Sequence, residues 1–174
     1  KSFVNLDEIA RGLSPLDPEV ERVRAGRIAL QILRETLSGP KDPPKAITVE
    51  TTLSGRTHLR TMADARSAGW LVHLLYFAVS TPEIALARIA RRVSEGGHNV
   101  PEEDARRRFD RSLANLAEYV GACNFWRVYD NNSAKPETAA EGRQGCMAWS
   151  SGAWEGLPVS LRQTLSGLPK CAEA

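Results

Sequence analysis

Four short apolar runs alternate along the chain with segments whose apolar positions recur every three or four residues. A recurrence of that period is typical of amphipathic helices, whereas a short, uninterrupted apolar run is typical of a buried strand. The predicted strands cover residues 2–5, 46–50, 71–78 and 125–130, and the third is apolar on both faces, as in a central parallel strand. Strands that alternate with helices are joined by right-handed crossovers, so the pattern predicts an α/β fold with a three-layer parallel sheet and helices on both faces.

The helical segments carry start and stop signals. Helices are predicted from Asp17-Pro18 to Gly39-Pro40, over residues 56–68, and from Ser80-Thr81-Pro82 onward. Proline is favoured in the first turn of a helix and glycine just beyond its end. The last of these helices runs into the loop Gly96-Gly97-His98, after which Pro101 begins another helix. We therefore predict a helix–loop–helix unit around these two glycines.

Residues 134–174 differ in composition from the rest of the chain. Small and polar residues dominate there, and the segment includes five glycines. Leu157, Leu161, Leu165 and Leu168 have helical spacing. We predict one domain over residues 1–133, followed by a poorly ordered tail over residues 134–174 with one short helix.

Composition excludes several classes of protein. A chain of 174 residues that is 42% hydrophobic can bury the core of one domain, and its net charge of +2 argues against a nucleic-acid partner. No apolar run is long enough to span a bilayer, which argues against a membrane partner. Cys123, Cys146 and Cys171 are widely spaced and form no CxxC pair. That spacing argues against a disulfide framework or a zinc site and, with no signal peptide before Phe3, predicts a cytoplasmic protein.

Polar side chains follow three of the predicted strands. They are Asp7, Glu50 and Asn131. Because the carboxyl ends of parallel strands meet at one edge of a sheet, we expect the three side chains to converge on a ligand-binding rim. Two structural interpretations stay open, namely that Asp7 caps a helix and that the segment after Glu50 is a satisfied turn.

Arginine is concentrated on both sides of the glycine loop. Arg91 and Arg92 precede the loop, and Arg106-Arg107-Arg108 follow it. The guanidinium group is a planar fork of donors that suits phosphate oxygens. Basic helix faces are often only solvated, so this segment by itself favours neither interpretation.

Four segments resemble, in the same order, motifs of the zeta toxin family of P-loop kinases, whose studied members phosphorylate UDP-N-acetylglucosamine with a nucleoside triphosphate. The resemblance extends from residue 3 to about residue 133. The segments are Phe3-Val4-Asn5-Leu6-Asp7-Glu8-Ile9-Ala10, Glu50-Thr51-Thr52-Leu53-Ser54-Gly55-Arg56, Gly96-Gly97-His98-Asn99-Val100-Pro101 with Arg106-Arg107-Arg108-Phe109 and Arg111-Ser112-Leu113, and Val128-Tyr129-Asp130-Asn131.

The resemblance implies a role for each acceptor-side residue. Asp7 would be the base that takes the proton of the sugar hydroxyl. Glu50, with Thr51 and Thr52, would contact the sugar-nucleotide, and Glu50 would also help to organise the metal site. Asn131, in the fourth segment, is assigned to substrate binding. The implied cofactors are ATP or GTP with Mg²⁺.

The helix–loop–helix unit would close over the triphosphate as a lid. Arg92 matches the first catalytic arginine of the family, and the second falls within Arg106-Arg107-Arg108, where Arg108 is preferred. His98 belongs to the same lid. The family is inhibited by a small helical antitoxin that blocks the nucleotide site, so the resemblance also implies such a protein partner.

One family motif is missing from the sequence. P-loop kinases begin with a strand and a G-x-x-x-x-G-K-[ST] loop that cradles the phosphates, and no such motif occurs in these residues. We interpret the chain as one that lacks the N-terminal strand and loop, and we expect poor ATP affinity and weak or absent catalysis. The alternative is a non-catalytic module, derived from such a kinase, that binds a nucleotide-sugar or a protein.

Overall fold

The structure is a computed structural model that describes residues 2–39, 46–97 and 99–172. It has mixed α/β architecture, and the four predicted strands are confirmed with bounds that differ by at most two residues at either end. The strands are β1 (Ser2–Val4), β2 (Ile47–Val49), β3 (His73–Ala78), β4 (Phe125–Asp130), β5 (Glu137–Arg143) and β6 (Cys146–Ser150). The helices are α1 (Leu6–Leu13), α2 (Arg22–Ser38), α3 (Thr57–Ser67), α4 (Pro82–Ser94), α5 (Glu102–Ala122) and α6 (Val159–Ser166), with 3₁₀ helices at Pro18–Glu21 and Gly152–Gly156.

The described residues divide into two compact units. The first comprises residues 2–39, 46–52 and 64–70, and the second comprises the remainder. The predicted domain boundary after residue 133 is not a boundary between these units, because the chain passes from β4 to β5 inside the second one.

The first unit contains a two-stranded parallel sheet and two helices. β1 and β2 pair in register, with Val4 opposite Val49, and α1 packs against α2. The side chains that α2 buries are Ala25, Ala29 and Leu33, which lie four residues apart and so form one apolar stripe along the helix. Because β1 and β2 are parallel, their carboxyl ends lie at the same edge of this sheet.

The second unit contains a four-stranded sheet in the order β3-β4-β5-β6. β3 and β4 are parallel, while β5 and β6 each run antiparallel to the preceding strand, so this sheet is mixed and not wholly parallel. Its core joins Trp126 and Val128 of β4 to Leu116 and Val120 of α5 and to Leu161 of α6.

One face of this sheet stays exposed. Leu75 and Phe77 of β3 are 57% and 52% exposed, and Phe125 of β4 is 43% exposed. Burial alternates along β3, so the prediction that this strand is buried on both faces is wrong for the face that carries Leu75 and Phe77. The reason is that α5 and α6 both contribute to the core on the other face.

The prediction of a poorly ordered tail is corrected by β5, β6 and α6. Ala139, Ala140 and Gly142 of β5 are buried, and a Cβ atom at Gly142 would lie 2.6 Å from the ring of Trp126. The small residues that suggested disorder therefore make room for a large side chain on the neighbouring strand. The short helix predicted from the leucine spacing is confirmed, since Leu161 and Leu165 of α6 are fully buried.

The cysteines also differ from their prediction. Cys146 and Cys171 form a disulfide, while Cys123 is free and buried. Backbone pairing brings Cys146 and Cys171 together, because the N–H of Met147 donates to the carbonyl of Pro169 at 2.8 Å. Since disulfides persist mainly in oxidising compartments, the cysteine pattern no longer supports the predicted cytoplasmic location. Among the described residues, no helix is both long and apolar enough to cross a membrane.

Candidate functional site

Asn5 and Glu50 lie side by side where β1 and β2 end. The backbone N–H of Glu50 donates to the carbonyl of Val4 at 3.1 Å, which continues the sheet by one bond. The side-chain amide of Asn5 donates to Oε2 of Glu50 at 2.6 Å. A short hydrogen bond to a carboxylate is stronger than one between neutral groups, so Asn5 orients the Glu50 side chain.

Asp7 lies in the first turn of α1, and its side chain is exposed. The helix cap is Asn5, whose Oδ1 accepts from the backbone N–H groups of Asp7 at 2.8 Å and Glu8 at 3.1 Å. The interpretation of Asp7 as the cap is therefore wrong. Asn5 therefore bonds the Glu50 carboxylate with its amide and caps the helix that carries Asp7 with its oxygen.

The residues after Glu50 add hydroxyl groups to the same stretch. Thr51 and Thr52 follow Glu50 directly, and all three side chains are exposed. Across the described residues, no group of three or more His, Cys, Asp or Glu side chains is arranged to hold a metal ion. Mg²⁺ commonly takes one or two protein carboxylates together with substrate phosphates and water, so an oxygen-donor set centred on Glu50 fits this ion.

The predicted helix–loop–helix unit is formed by α4 and α5, which pack against each other. Gly96 has a φ of +86°, a conformation that side-chain-bearing residues rarely adopt. The N–H of Gly97 donates to the carbonyl of Arg92 at 2.8 Å, and a Cβ atom at Gly97 would lie 2.5 Å from Cγ of Arg92. Both glycines are therefore required by the turn, and the second packs directly against a predicted lid arginine.

Two of the three consecutive arginines on α5 are held by carboxylates. Arg106 bonds Glu83 of α4 at 2.7 Å and Glu102 of its own helix at 2.9 Å, and Arg107 pairs with Asp104 at 2.6 Å. The bond to Glu83 is the largest of several contributions that raise the pKa of Arg106, and the same bond lowers the pKa of Glu83. Arg106 thus connects the two helices of the hairpin.

Arg108 differs from its two neighbours. It is half-buried, and no ion pair joins it to a carboxylate within the part of the chain that the structure describes. Arg92 is exposed near the end of α4. His98, the remaining predicted lid residue, lies outside the described residues. Of the three consecutive arginines, Arg108 is the one whose guanidinium group is not engaged by a carboxylate there.

Asn131 follows β4 and is fixed through its backbone. Its N–H donates to the carbonyl of Ala78 at 2.8 Å, and its own carbonyl accepts from Arg88 of α4. The predicted substrate residue therefore extends the pairing of β3 and β4 by one residue. Arg88 therefore links this strand end to α4.

Asn132 is a connecting residue that the sequence did not single out. Its side-chain oxygen accepts from the N–H of Ser80 at 2.8 Å, and its amide donates to Asp130 at 2.6 Å and to the carbonyl of Gly156 at 2.9 Å. It therefore joins the ends of β3 and β4 to the second 3₁₀ helix. Asn5 was missed in the same way, and both are asparagines at the carboxyl end of a parallel strand.

The predicted site residues thus fall into two groups. Asp7, Glu50, Thr51 and Thr52 belong to the first unit, and the lid arginines with Asn131 belong to the second. Inside the first unit, Asn5 links Glu50 to the start of the Asp7 helix. The convergence of Asp7, Glu50 and Asn131 on a single rim stays a prediction.

The chain is similar to an uncharacterized protein of Haemophilus influenzae, with 33% identity over 106 residues that make up 61% of this chain and 73% of that protein. It belongs to the same family as that protein. The sequence matches no protein-family profile, and no solved structure matches it. The name of the relative states no activity.

Proposed function

We propose that this chain carries the acceptor site and the lid of a three-layer P-loop kinase, which transfers a phosphoryl group from ATP or GTP to a hydroxyl of a UDP-N-acetylglucosamine-like sugar-nucleotide. The observation that carries the proposal is the arrangement around Asn5, which bonds Glu50 and caps the helix of Asp7 at the carboxyl ends of two parallel strands. Those strand ends are where α/β folds place their ligands.

In this proposal the first unit binds and activates the acceptor. Asp7 accepts the proton of the attacking hydroxyl, which requires a carboxylate that can reach bulk water or substrate, and its side chain is exposed. Glu50 orients the sugar-nucleotide with Thr51 and Thr52. Mg²⁺, which Glu50 would help to organise, would neutralise phosphate charge when bound.

The second unit supplies positive charge. Arg92 and Arg108 stabilise the charge that develops on the transferred phosphoryl group, while Arg106, already bonded to Glu83 and Glu102, keeps the two helices of the lid together. Asn131 contributes to substrate binding. A small helical antitoxin that blocks the nucleotide site is the protein partner that this proposal implies.

A second candidate is a binding module without catalysis. The 174 residues contain no G-x-x-x-x-G-K-[ST] sequence, and this motif supplies the backbone donors that hold the phosphates in P-loop enzymes. In this candidate the chain retains the sugar-nucleotide site and its arginines act in recognition. The exposed Leu75, Phe77 and Phe125 on one sheet face would favour a protein as a further ligand.

A transfer assay distinguishes the two candidates. The chain is incubated with ATP, Mg²⁺ and UDP-N-acetylglucosamine, alone and with a P-loop strand and loop from a zeta toxin kinase fused ahead of residue 1, and the phosphorylated sugar-nucleotide is detected by mass spectrometry. We expect product only from the fusion, and none from its Asp7→Asn variant. Absence of product from both forms, with the sugar-nucleotide still bound, would favour the binding module. Absence of both product and binding would refute both candidates.

A further inference from the structure

Helix α5 holds the segment that follows Thr52 by two hydrogen bonds. The side-chain amide of Asn115 donates to the carbonyl of Leu53 at 2.8 Å, and the hydroxyl of Tyr119 donates to the carbonyl of Gly55 at 2.7 Å. Asn115 and Tyr119 are four residues apart, so they lie on the same face of the helix. All four residues belong to the second unit.

These hydrogen bonds are better shielded from solvent than a third contact nearby, and Asn115 is half-buried. Tyr119 is only 1% exposed and Leu53 only 4% exposed. Arg56 and Glu118 form an ion pair between the same two segments, but both side chains are largely exposed to solvent, where such pairs contribute little. The two partly buried hydrogen bonds therefore contribute more to the attachment than the ion pair does.

The attached segment has an uncommon backbone conformation. Leu53 has a φ of +54°, in the left-handed region that residues with a Cβ atom seldom adopt. A strained conformation of this kind persists only where the surroundings impose it, and such residues cluster at functional sites. The side chain of Leu53 is buried and its carbonyl is bonded to Asn115, so α5 imposes the conformation here.

The anchored residues are continuous with the predicted acceptor residues. Thr52 directly precedes Leu53, and Glu50 is three residues before it. Residues 50–56 connect β2 to α3. Fixing the backbone at Leu53 and Gly55 therefore limits the conformations available to Thr51 and Thr52 in the same connecting segment.

We infer that Asn115 and Tyr119 are positioning residues for sugar-nucleotide binding, because they fix the backbone of the loop that presents Glu50, Thr51 and Thr52. The inference rests on the proposed function, which assigns those three residues to the acceptor.

A matched control exists on the same helix. The hydroxyl of Tyr76 on β3 and that of Ser112 on α5 are hydrogen-bonded at 2.9 Å, so Tyr76→Phe also removes one largely buried tyrosine hydrogen bond to α5. It leaves the segment from Leu53 to Gly55 untouched. A purely structural effect of losing such a bond should therefore appear in both Tyr119→Phe and Tyr76→Phe.

The experiment titrates the whole chain and its Tyr119→Phe, Asn115→Ala and Tyr76→Phe variants with UDP-N-acetylglucosamine by calorimetry, with Tm measured for each. Loss of one hydrogen bond that orders the loop should weaken binding about threefold to tenfold in Tyr119→Phe and Asn115→Ala. Tyr76→Phe should bind as the wild type does, with a Tm lowered about as much as in Tyr119→Phe. Amide exchange over residues 51–55 should accelerate in the first two variants alone.

The outcomes separate the inference from the function that it depends on. Binding by the wild type that is unchanged in Tyr119→Phe and Asn115→Ala would overturn the positioning role and leave the proposed function intact. Equal weakening in Tyr76→Phe would overturn it too, since the effect would then be one of general stability. Failure of the wild type to bind, with faster exchange at residues 51–55 in the variants, would overturn the proposed function and show that the anchors only shape the loop.

Discussion

Replacing Asn5 should reveal how far a single side chain holds the first unit together. In Asn5→Ala, α1 loses the oxygen that accepts from the N–H groups of Asp7 and Glu8 at 2.8 and 3.1 Å, and Glu50 loses its 2.6 Å hydrogen bond. Loss of a helix cap costs about 1 kcal/mol. The partly solvated bond to Glu50 adds about 0.5–1 kcal/mol. The free energy of unfolding should therefore fall by about 1.5–2 kcal/mol.

Asn5→Ser separates these two contributions. Serine is also a good capping residue, so this variant keeps the cap and loses the amide that reaches Glu50. We expect it to lose only about 0.5–1 kcal/mol. In a Glu50→Ala background the Ser substitution should cost nothing further, because its partner is already gone.

Urea unfolding followed by circular dichroism gives the free energies, and amide exchange over residues 6–13 reports on α1 directly. The Ala variant should exchange faster than the Ser variant along that helix. Equal losses in the two variants would contradict the capping role. A full effect of Asn5→Ser in the Glu50→Ala background would contradict the bond between these two side chains.

Three further changes test other parts of the account. Gly97→Ala should destabilise the second unit by about 1–3 kcal/mol in urea unfolding, since the new Cβ atom would collide with the preceding helix. Gly121→Ala has open space around the new atom and should stabilise the unit by about 0.5–1 kcal/mol. The reverse order of stabilities would contradict the turn geometry. Removing the disulfide by Cys146→Ser with Cys171→Ser should cost about 3 kcal/mol, and a reducing agent should then have no further effect on Tm, because the bond closes a separation of 25 residues. The hydrogen bond from Arg106 lowers the pKa of Glu83 in the folded protein, so the contribution of Glu83 to stability is complete above the pKa of the unfolded chain and is lost as the pH falls through the pKa of the folded protein. Glu83→Gln should therefore reduce the fall in Tm at acidic pH. An unchanged fall in Tm would contradict the ion pair.

The regular elements up to residue 130 could be predicted because local signals and tertiary packing agree there. Gly39 follows the last residue of α2 and Pro82 is the first residue of α4, whereas Pro18 begins the 3₁₀ helix that precedes α2 at Arg22. Strand β4 has the predicted bounds, Phe125–Asp130. In each case the sequence period that suggests the element is also the period that buries it.

The errors arose where distant residues decide the structure. Small residues such as Gly142 suggest disorder, but they are needed beside Trp126, and no local signal conveys the presence of that ring. The pairing of Cys146 with Cys171 depends on backbone bonds between Met147 and the segment that ends in Cys171. Neither spacing nor composition contains that information.

The candidate site was predictable at the level of residue type and only partly at the level of roles. Carboxylates at strand ends pointed to Asp7 and Glu50, but the residue that bonds Glu50 and caps the Asp7 helix is Asn5, an uncharged residue that the sequence did not single out. The sequence could not show which of the three consecutive arginines is paired, because pairing depends on whether a carboxylate such as Glu83 lies opposite.

The most direct test of the central claim is a calorimetric titration of the chain with UDP-N-acetylglucosamine, compared with its Glu50→Gln variant. Glutamine keeps an oxygen that can accept from Asn5, so the fold and Tm should be retained while the charge is lost. We predict saturable binding by the wild type and binding weaker by about tenfold or more in the variant, since charged hydrogen bonds contribute about 1.5–3 kcal/mol. Absence of binding by the wild type, or equal binding by the variant, would contradict the assignment of Glu50 to a sugar-nucleotide site.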